Sequence, residues 1–112
     1  MDRSLQAGSN SLMLLKLIAE QDMYGYQIID TLEKRSDHTF SLKAGTLYPL
    51  LKGMEEKGQI TSYEKESPEG RMRKYYRITP AGKKQLKDKT EEWNRFVGAV
   101  NGVLGGELFA NA

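Results

Sequence analysis

The sequence predicts a mainly α-helical domain carrying one small β-hairpin. Two observations lead there. Apolar residues recur at three- and four-residue steps in four separate stretches, and between the third and fourth the pattern changes to alternation on either side of a Ser-Pro-Glu-Gly turn at 67–70. The 112 residues suffice for one domain with a modest core, and 38% hydrophobic with 29% charged residues fit a globular chain rather than wholesale disorder. No apolar run reaches about 18 residues, and no charged, then apolar, then small-residue leader pattern opens the sequence, so a cytoplasmic location away from membranes is expected. Cysteine is absent, which removes disulfides, thiolate catalysis and cysteine-ligated zinc.

In the first helical stretch, residues 11–20, Leu12, Leu15, Ile18 and Ala19 form a stripe that Leu14 and Leu17 broaden, so this helix is buried on more than one side. Ser9 or Asn10 is the expected N-cap, because a short polar side chain accepts from the free amides of a first turn. Gln-Asp-Met-Tyr-Gly then breaks the pattern. A second helix is predicted over 24–35, with Ile28, Ile29 and Leu32 inward and Ser-Asp-His at its end. Phe40 and Leu42 mark an extended connection to a third helix at 44–57. There Leu50, Leu51 and Met54 lie within about 60° of Leu47, while Tyr48, Pro49, Lys52 and Glu55 project from the other side. Pro49 is best tolerated in a first turn, which predicts a start one or two residues later than the pattern alone gives. Gly58 is expected to close this helix in a left-handed conformation.

Residues 59–65 alternate as a first strand, with Ile60, Ser62 and Glu64 on one side, and 71–79 return as a second. On the return, Tyr75, Arg77 and Thr79 share one face, and Lys74, Tyr76 and Ile78 the other. Thr79 is the expected cap of a fourth helix beginning at Pro80. Its apolar line, Leu86, Trp93, Val97, Val100 and Leu104, follows alternating steps of four and three with Thr90 in the gap. Gly98, Gly102, Gly105 and Gly106 predict fraying toward its end.

The net charge of +2 hides an asymmetry. Residues 1–70 hold eight basic and eleven acidic side chains, residues 71–89 hold eight basic against Asp88 alone, and 90–112 come to −2. Such local concentration suits a polyanion, since phosphate contacts act over a short screened range and release counterions. Tyr76 and Ile78 would hold the second strand on the core while Arg71, Arg73 and Lys74, with Arg77 beside them, face phosphates. Two blander readings stand beside this one: a solvated helix face for the lysines at 83, 84, 87 and 89, and edge-strand charges that discourage aggregation.

Three helices, a hairpin and a long terminal helix in this order make a winged helix-turn-helix with an added helical arm. The third helix would enter a major groove and the hairpin would reach a neighbouring minor groove or backbone. The sequence at this point resembles the PadR-like transcriptional regulators. The matching segments are Tyr-Gly-Tyr-Gln-Ile (24–28), Lys-Ala-Gly-Thr-Leu-Tyr-Pro-Leu-Leu (43–51), Glu-Glu-Lys-Gly-Gln-Ile (55–60) and Arg-Lys-Tyr-Tyr-Arg-Ile-Thr-Pro-Ala-Gly (73–82). With one helix after the wing, the chain is similar to the compact branch of that family. The resemblance implies a homodimeric repressor on a palindromic operator in double-stranded DNA. Carried over by position, Lys43, Thr46, Tyr48 and Lys52 fall in the recognition-helix region, and Gly70, Arg71, Arg73 and Lys74 in the wing. Tyr24 and Ser9 are further candidates for backbone contacts.

The division expected is a DNA-binding domain at 1–79 and a helix at 80–112 for dimerisation and ligand sensing. An apolar seam on a terminal helix needs a partner surface, and a second copy is the simplest one, with folding back onto its own domain as the alternative. In the drug-sensing branch of the family an aromatic residue of this helix from each subunit sandwiches a flat ligand. That resemblance points to Trp93, Phe96 and Val97 as ligand-binding residues, with Glu91 or Asp88 attracting a cationic compound; the competing reading has Trp93 simply packing the dimer core.

No catalytic residue, metal site or cofactor is expected. His38 is the sole histidine and sits in a polar linker, no phosphate-binding glycine loop is present, and the Glu-Glu pairs at 55 and 91 lie on helix surfaces. The remaining alternative is a winged-helix module that docks on protein without an effector.

Overall fold

The structure, a computed structural model, describes residues 3–105, with side chains from residue 8 onward. Its elements are α1 (Arg3–Glu20), β1 (Met23–Tyr24), α2 (Gly25–Arg35), α3 (Ala44–Glu56), β2 (Ile60–Glu66), β3 (Met72–Ile78) and α4 (Pro80–Leu104). This is the predicted mainly α class with a small antiparallel sheet. The final residues of the 80–112 segment, Gly106 among them, lie outside the described residues.

The core forms where the apolar stripes meet. Leu14, Leu15 and Ile18 of α1, Ile28 of α2, Leu47 and Leu51 of α3 and Ile60 of β2 are all fully buried. Each such side chain contributes roughly 1.5–3 kcal/mol on leaving water. Because α1 starts at Arg3, Ser9 and Asn10 lie inside it and are buried rather than capping it. Its upstream turns carry no apolar period that would reveal them in the sequence.

Both α2 and α3 end on crossed pairs of backbone bonds. Beyond α2, Asp37 donates to the Lys34 carbonyl and His38 to that of Glu33, with φ of 52° and 63°. Beyond α3, Gly58 at φ 75° donates to Glu55 and Gln59 to Met54, as expected for a glycine-closed helix. Pro49 departs from expectation, since it lies inside α3 and not in its first turn. The Lys43 carbonyl accepts from both Thr46 and Leu47, at 3.0 and 2.9 Å, and so anchors the helix start ahead of the proline. The carbonyl left without an amide, that of Gly45, is on an exposed residue.

The sheet has the order β1-β3-β2 and is antiparallel throughout. The sequence reading missed β1. Met23 pairs Tyr76 and Tyr24 pairs Tyr75, while β2 and β3 pair from Ile60 opposite Ile78 out to Glu66 opposite Met72. One face carries Met23, Ile60 and Tyr76 into the core. The other sets Tyr24, Tyr75 and Tyr63 in a row across three strands, with ring centroids 5.4 and 5.8 Å apart. Tyr75 is therefore buried too, between its neighbours, although it faces away from the core.

The first turn of α4 is stitched to the α3–β2 turn. Thr79 Oγ1 accepts from the Gly82 amide at 3.0 Å, the expected cap, and donates to the Gly58 carbonyl at 2.6 Å; the Thr79 amide donates to the Gln59 carbonyl at 3.0 Å. Leu86 packs on the core, and beyond it the helix leaves the body. The radius of gyration is accordingly 16.0 Å, with extents of 52 × 28 × 22 Å, against about 13 Å for a compact chain of this length. The helix α4 continues through Gly98 and Gly102 and closes at Gly105, φ 86°. A helix-interior glycine costs only about 1 kcal/mol relative to alanine, too little to end a helix of good formers.

Candidate nucleic-acid interface

The exposed side of α3 is set by its buried one. Leu47, Leu51 and Met54 face the core, so Thr46, Tyr48, Pro49 and Lys52 are turned to solvent, and Lys43 is exposed at the N-cap position. At 100° per residue, Tyr48, Lys52, Pro49 and Thr46 span about 160° of the helix circumference, a face wide enough for a groove of DNA.

Tyr48 is more than an exposed ring. It lies across Gly25, the first residue of α2: a Cβ built there would stand 2.3 Å from the Tyr48 hydroxyl oxygen and 2.7 Å from the carbon bearing it. With a Cβ at position 25 the ring would have to swing aside, so the glycine of Tyr-Gly-Tyr makes room for a side chain 23 residues downstream. The preceding residue, Tyr24, carries the Arg73 guanidinium 4.5 Å above its ring. The third helix, through Tyr48, and the hairpin, through Arg73, thus touch two consecutive residues, Gly25 and Tyr24, at the start of α2. On the core side of β3, Lys74 stands 5.7 Å over the ring of Tyr76. Burial raises the Tyr76 hydroxyl pKa, and the nearby Tyr48 and Glu55 add to the effect.

At the hairpin tip, Gly70 takes φ 83° and the chain closes through Ser67 and Arg71, whose backbone groups bond at 2.7 Å. Arg71 and Lys74 are exposed and Arg73 is half-buried. Arg73 Nε is buried without a hydrogen-bond acceptor among the described residues. That buried Nε is closed to a phosphate oxygen; a guanidinium stacked on an aromatic ring meets one through its outer N–H groups. Lys65, which the sequence reading passed over, is the cross-strand neighbour of Arg73 and lies 4.8 Å over Tyr75. Its alternation with Tyr63 was visible; its pairing with Arg73 needed the hairpin register. Two like charges directly opposite one another are unfavourable in a hairpin, and the flanking tyrosine faces offset that cost.

The charge map is more divided than the linear count implied. Over residues 60–78 five basic and three acidic side chains give +2, and the remaining cations of 71–89 lie on α4. Glu64 stands opposite Lys74, and Lys84 pairs with Asp88 at 3.5 Å. At the tip, backbone and Ser67 hydrogen bonds, with Arg73 and Arg71 nearby, hold the Glu69 carboxyl below its ordinary pKa. Arg77 does not join the free cations, because it is bonded to Asp22. Ser9 is buried within α1.

On α4, Trp93 and Phe96 stack with centroids 5.9 Å apart, and both are largely exposed; Val97 is half-buried. A separate apolar groove of about 430 Å³ runs between α1, α2 and α4, lined by Leu12, Met13, Leu17, Leu32, Phe40 and Leu86, and does not include those three residues. Among the described residues no helix is long and apolar enough to cross a membrane, and no cluster of side chains has the composition of a metal site.

Comparisons with known proteins agree with this architecture. A profile of the transcriptional regulator PadR-like family matches residues 14–88, from the middle of α1 into α4. The chain is 32% identical over 105 residues to the transcriptional regulator Rv3488 of Mycobacterium tuberculosis, spanning 94% of this chain and 92% of that protein. A transcriptional regulator from Clostridium thermocellum matches with a TM-score of 0.80 and 36% identity, over 88% of this chain and 95% of that one. A PadR-like transcriptional regulator from Bacillus cereus matches with a TM-score of 0.82 and 30% identity, over 91% of this chain and 97% of that one. With a family match over two thirds of its length and the same fold from first helix to last, the chain belongs to the PadR-like family of transcriptional regulators.

Proposed function

We propose that this regulator is a homodimer that binds a palindromic operator in double-stranded DNA and represses transcription there until a small planar hydrophobic ligand releases it. In this reading residues 1–79 bind DNA through Lys43, Thr46, Tyr48 and Lys52 of α3 and Gly70, Arg71, Arg73 and Lys74 of the hairpin. Residues 80–112 dimerise and hold the ligand around Trp93, Phe96 and Val97. The observation that carries it is that the exposed face of α3 and the cationic hairpin contact adjacent residues, Tyr48 against Gly25 and Arg73 on Tyr24, which supports their acting together. Support for the dimer comes from α4, where Trp93, Phe96, Val100, Val103 and Leu104 stay exposed in a single chain. So many large apolar side chains along one projecting helix are characteristic of an interface.

Duplex binding measured across a salt series tests this reading. Each phosphate contact contributes about 0.9 to the slope of log affinity against log salt, so replacing both Arg71 and Lys74 by alanine in a dimer is expected to flatten the slope by about 3–4 and to weaken all sequences alike. Thr46→Ala is expected instead to erode preference among sequences, at about 1–3 kcal/mol for the base concerned. Salt-independent affinity would point to a protein-docking module. The ligand role has its own test: planar cationic dyes at micromolar concentration should quench Trp93, the only tryptophan, and unchanged fluorescence would remove that chemical class.

A further inference from the structure

On the outer face of the sheet, one carboxylate oxygen holds both strands of the hairpin. Asp22, in the turn between α1 and β1, receives at its Oδ2 the Tyr63 hydroxyl of β2 at 2.5 Å and, from Arg77 of β3, Nε at 3.0 Å and Nη2 at 2.9 Å. The Arg77 guanidinium also lies 4.9 Å over the Tyr63 ring, which closes a triangle of contacts. Burial tends to raise the Asp22 carboxyl, but the bonds from Tyr63 and Arg77 outweigh it and hold the pKa below the usual carboxylate range. Donating to Asp22 raises the pKa of Tyr63 and of Arg77 in turn. The group is therefore an anion at neutral pH, with both strands bonded to it. β1 offers only two residues of pairing to β3, so Asp22 adds a side-chain grip beside a short backbone one.

The contact also changes what Arg77 offers. By sequence position Arg77 belongs with Arg71, Arg73 and Lys74, and its side chain is 61% exposed. A free guanidinium there would add a phosphate contact that carries no sequence information. We infer that Asp22 limits the hairpin's sequence-independent hold on DNA: it withholds Arg77 from the DNA backbone and ties the hairpin to the α1–β1 corner, leaving Arg71, Arg73 and Lys74 as the wing cations that engage the duplex. The inference rests on the DNA-binding reading above. It assigns opposite roles to two arginines of one strand, since Arg73 stacks on Tyr24 while Arg77 has its charge opposed by a carboxylate.

The test uses the full-length protein with Asp22→Asn, Arg77→Gln and the pair together, on the preferred duplex and on a scrambled one across a salt series. Asparagine keeps the shape and still accepts from Tyr63, but it no longer opposes the arginine charge. Arg77→Gln alone is expected to leave the salt slope of the unaltered protein unchanged, in contrast to Arg71→Ala. Asp22→Asn is expected to steepen the slope by about 2 in a dimer, one new contact per chain, and to strengthen binding to the preferred and the scrambled duplex alike at low salt. Adding Arg77→Gln to Asp22→Asn should return the slope to its original value. A slope flattened by Arg77→Gln alone, or unmoved by Asp22→Asn in a protein whose circular dichroism is native, overturns the inference while leaving DNA binding intact. If Asp22→Asn does not fold, Arg77→Gln decides the question. Absence of any duplex binding by the unaltered protein at low salt would instead overturn the DNA reading, and this inference with it.

Discussion

Val100→Asp is expected to convert the dimer into folded monomers. Val100 is exposed in the single chain, so a carboxylate there meets water and leaves the core of Leu14, Leu47 and Ile60 untouched. In the proposed assembly the same position lies on the seam with Trp93, Val97 and Leu104, and a twofold interface buries the new charge twice. An unpaired buried carboxylate costs about 3 kcal/mol or more, so the dimer dissociation constant should rise by roughly 10⁴-fold. Sedimentation at micromolar concentration would then find single chains with an unchanged helical spectrum. A dimer that survives the substitution would place the interface elsewhere, with the groove between α1, α2 and α4 as the next surface to alter.

Gly82→Ala is expected to destabilise the fold strongly, because the added methyl group meets backbone. Its Cβ would stand 2.0 Å from the Gln59 carbonyl oxygen and 2.7 Å from Ile78 Cγ1. Neither can yield cheaply. The Gln59 carbonyl is backbone and accepts from the Thr79 amide at 3.0 Å, and Ile78 begins the β2 pairing opposite Ile60. Relieving the clash means lifting α4 off the α3–β2 turn and giving up the Thr79 cap. A loss of about 3 kcal/mol follows, or roughly 10–20 °C in the melting temperature of a domain this size. Gly98→Ala is the control: nothing lies within 4 Å of the added atom, the site is helix interior, and a gain of about 0.5–1 kcal/mol is expected. Equal melting temperatures for the two variants would contradict the packing described for the start of α4.

The order of helices and hairpin was legible because it rests on local pattern. The stripes of α1 to α3, the Ser-Pro-Glu-Gly turn, the Gly58 stop and the Thr79-Pro80 start each depend on neighbours within a few residues. What the sequence hid depends on distant partners. β1 is two residues long and has no period; it exists because Tyr75 and Tyr76 of β3 pair with it across the fold. Tyr75 is buried by Tyr24 and Tyr63, neither adjacent to it in sequence. Pro49 sits inside α3 because Lys43 fixes the helix start, a geometry that composition cannot show.

The site was legible to the same degree. Exposed residues of α3 followed from the periodicity of its buried ones, and the wing cations from their clustering. Arg77 and Arg73 look alike in the sequence, yet one is bonded to Asp22 and the other stacked on Tyr24. Gly25 reads as a loop glycine until the Tyr48 ring is found against it. Charge likewise reads differently along the chain and across it, since Glu64 and Glu69 come to lie among the wing cations.

Hydroxyl-radical footprinting on a duplex that the protein itself selects from a random library tests the paired-wing arrangement most directly. Two protected patches centred about one helical turn, roughly 10 base pairs, apart on a twofold-symmetric sequence are the expected result. Their loss in Val100→Asp should accompany them. No protection on any selected duplex at low salt, or a single patch bound equally well by Val100→Asp, would contradict it.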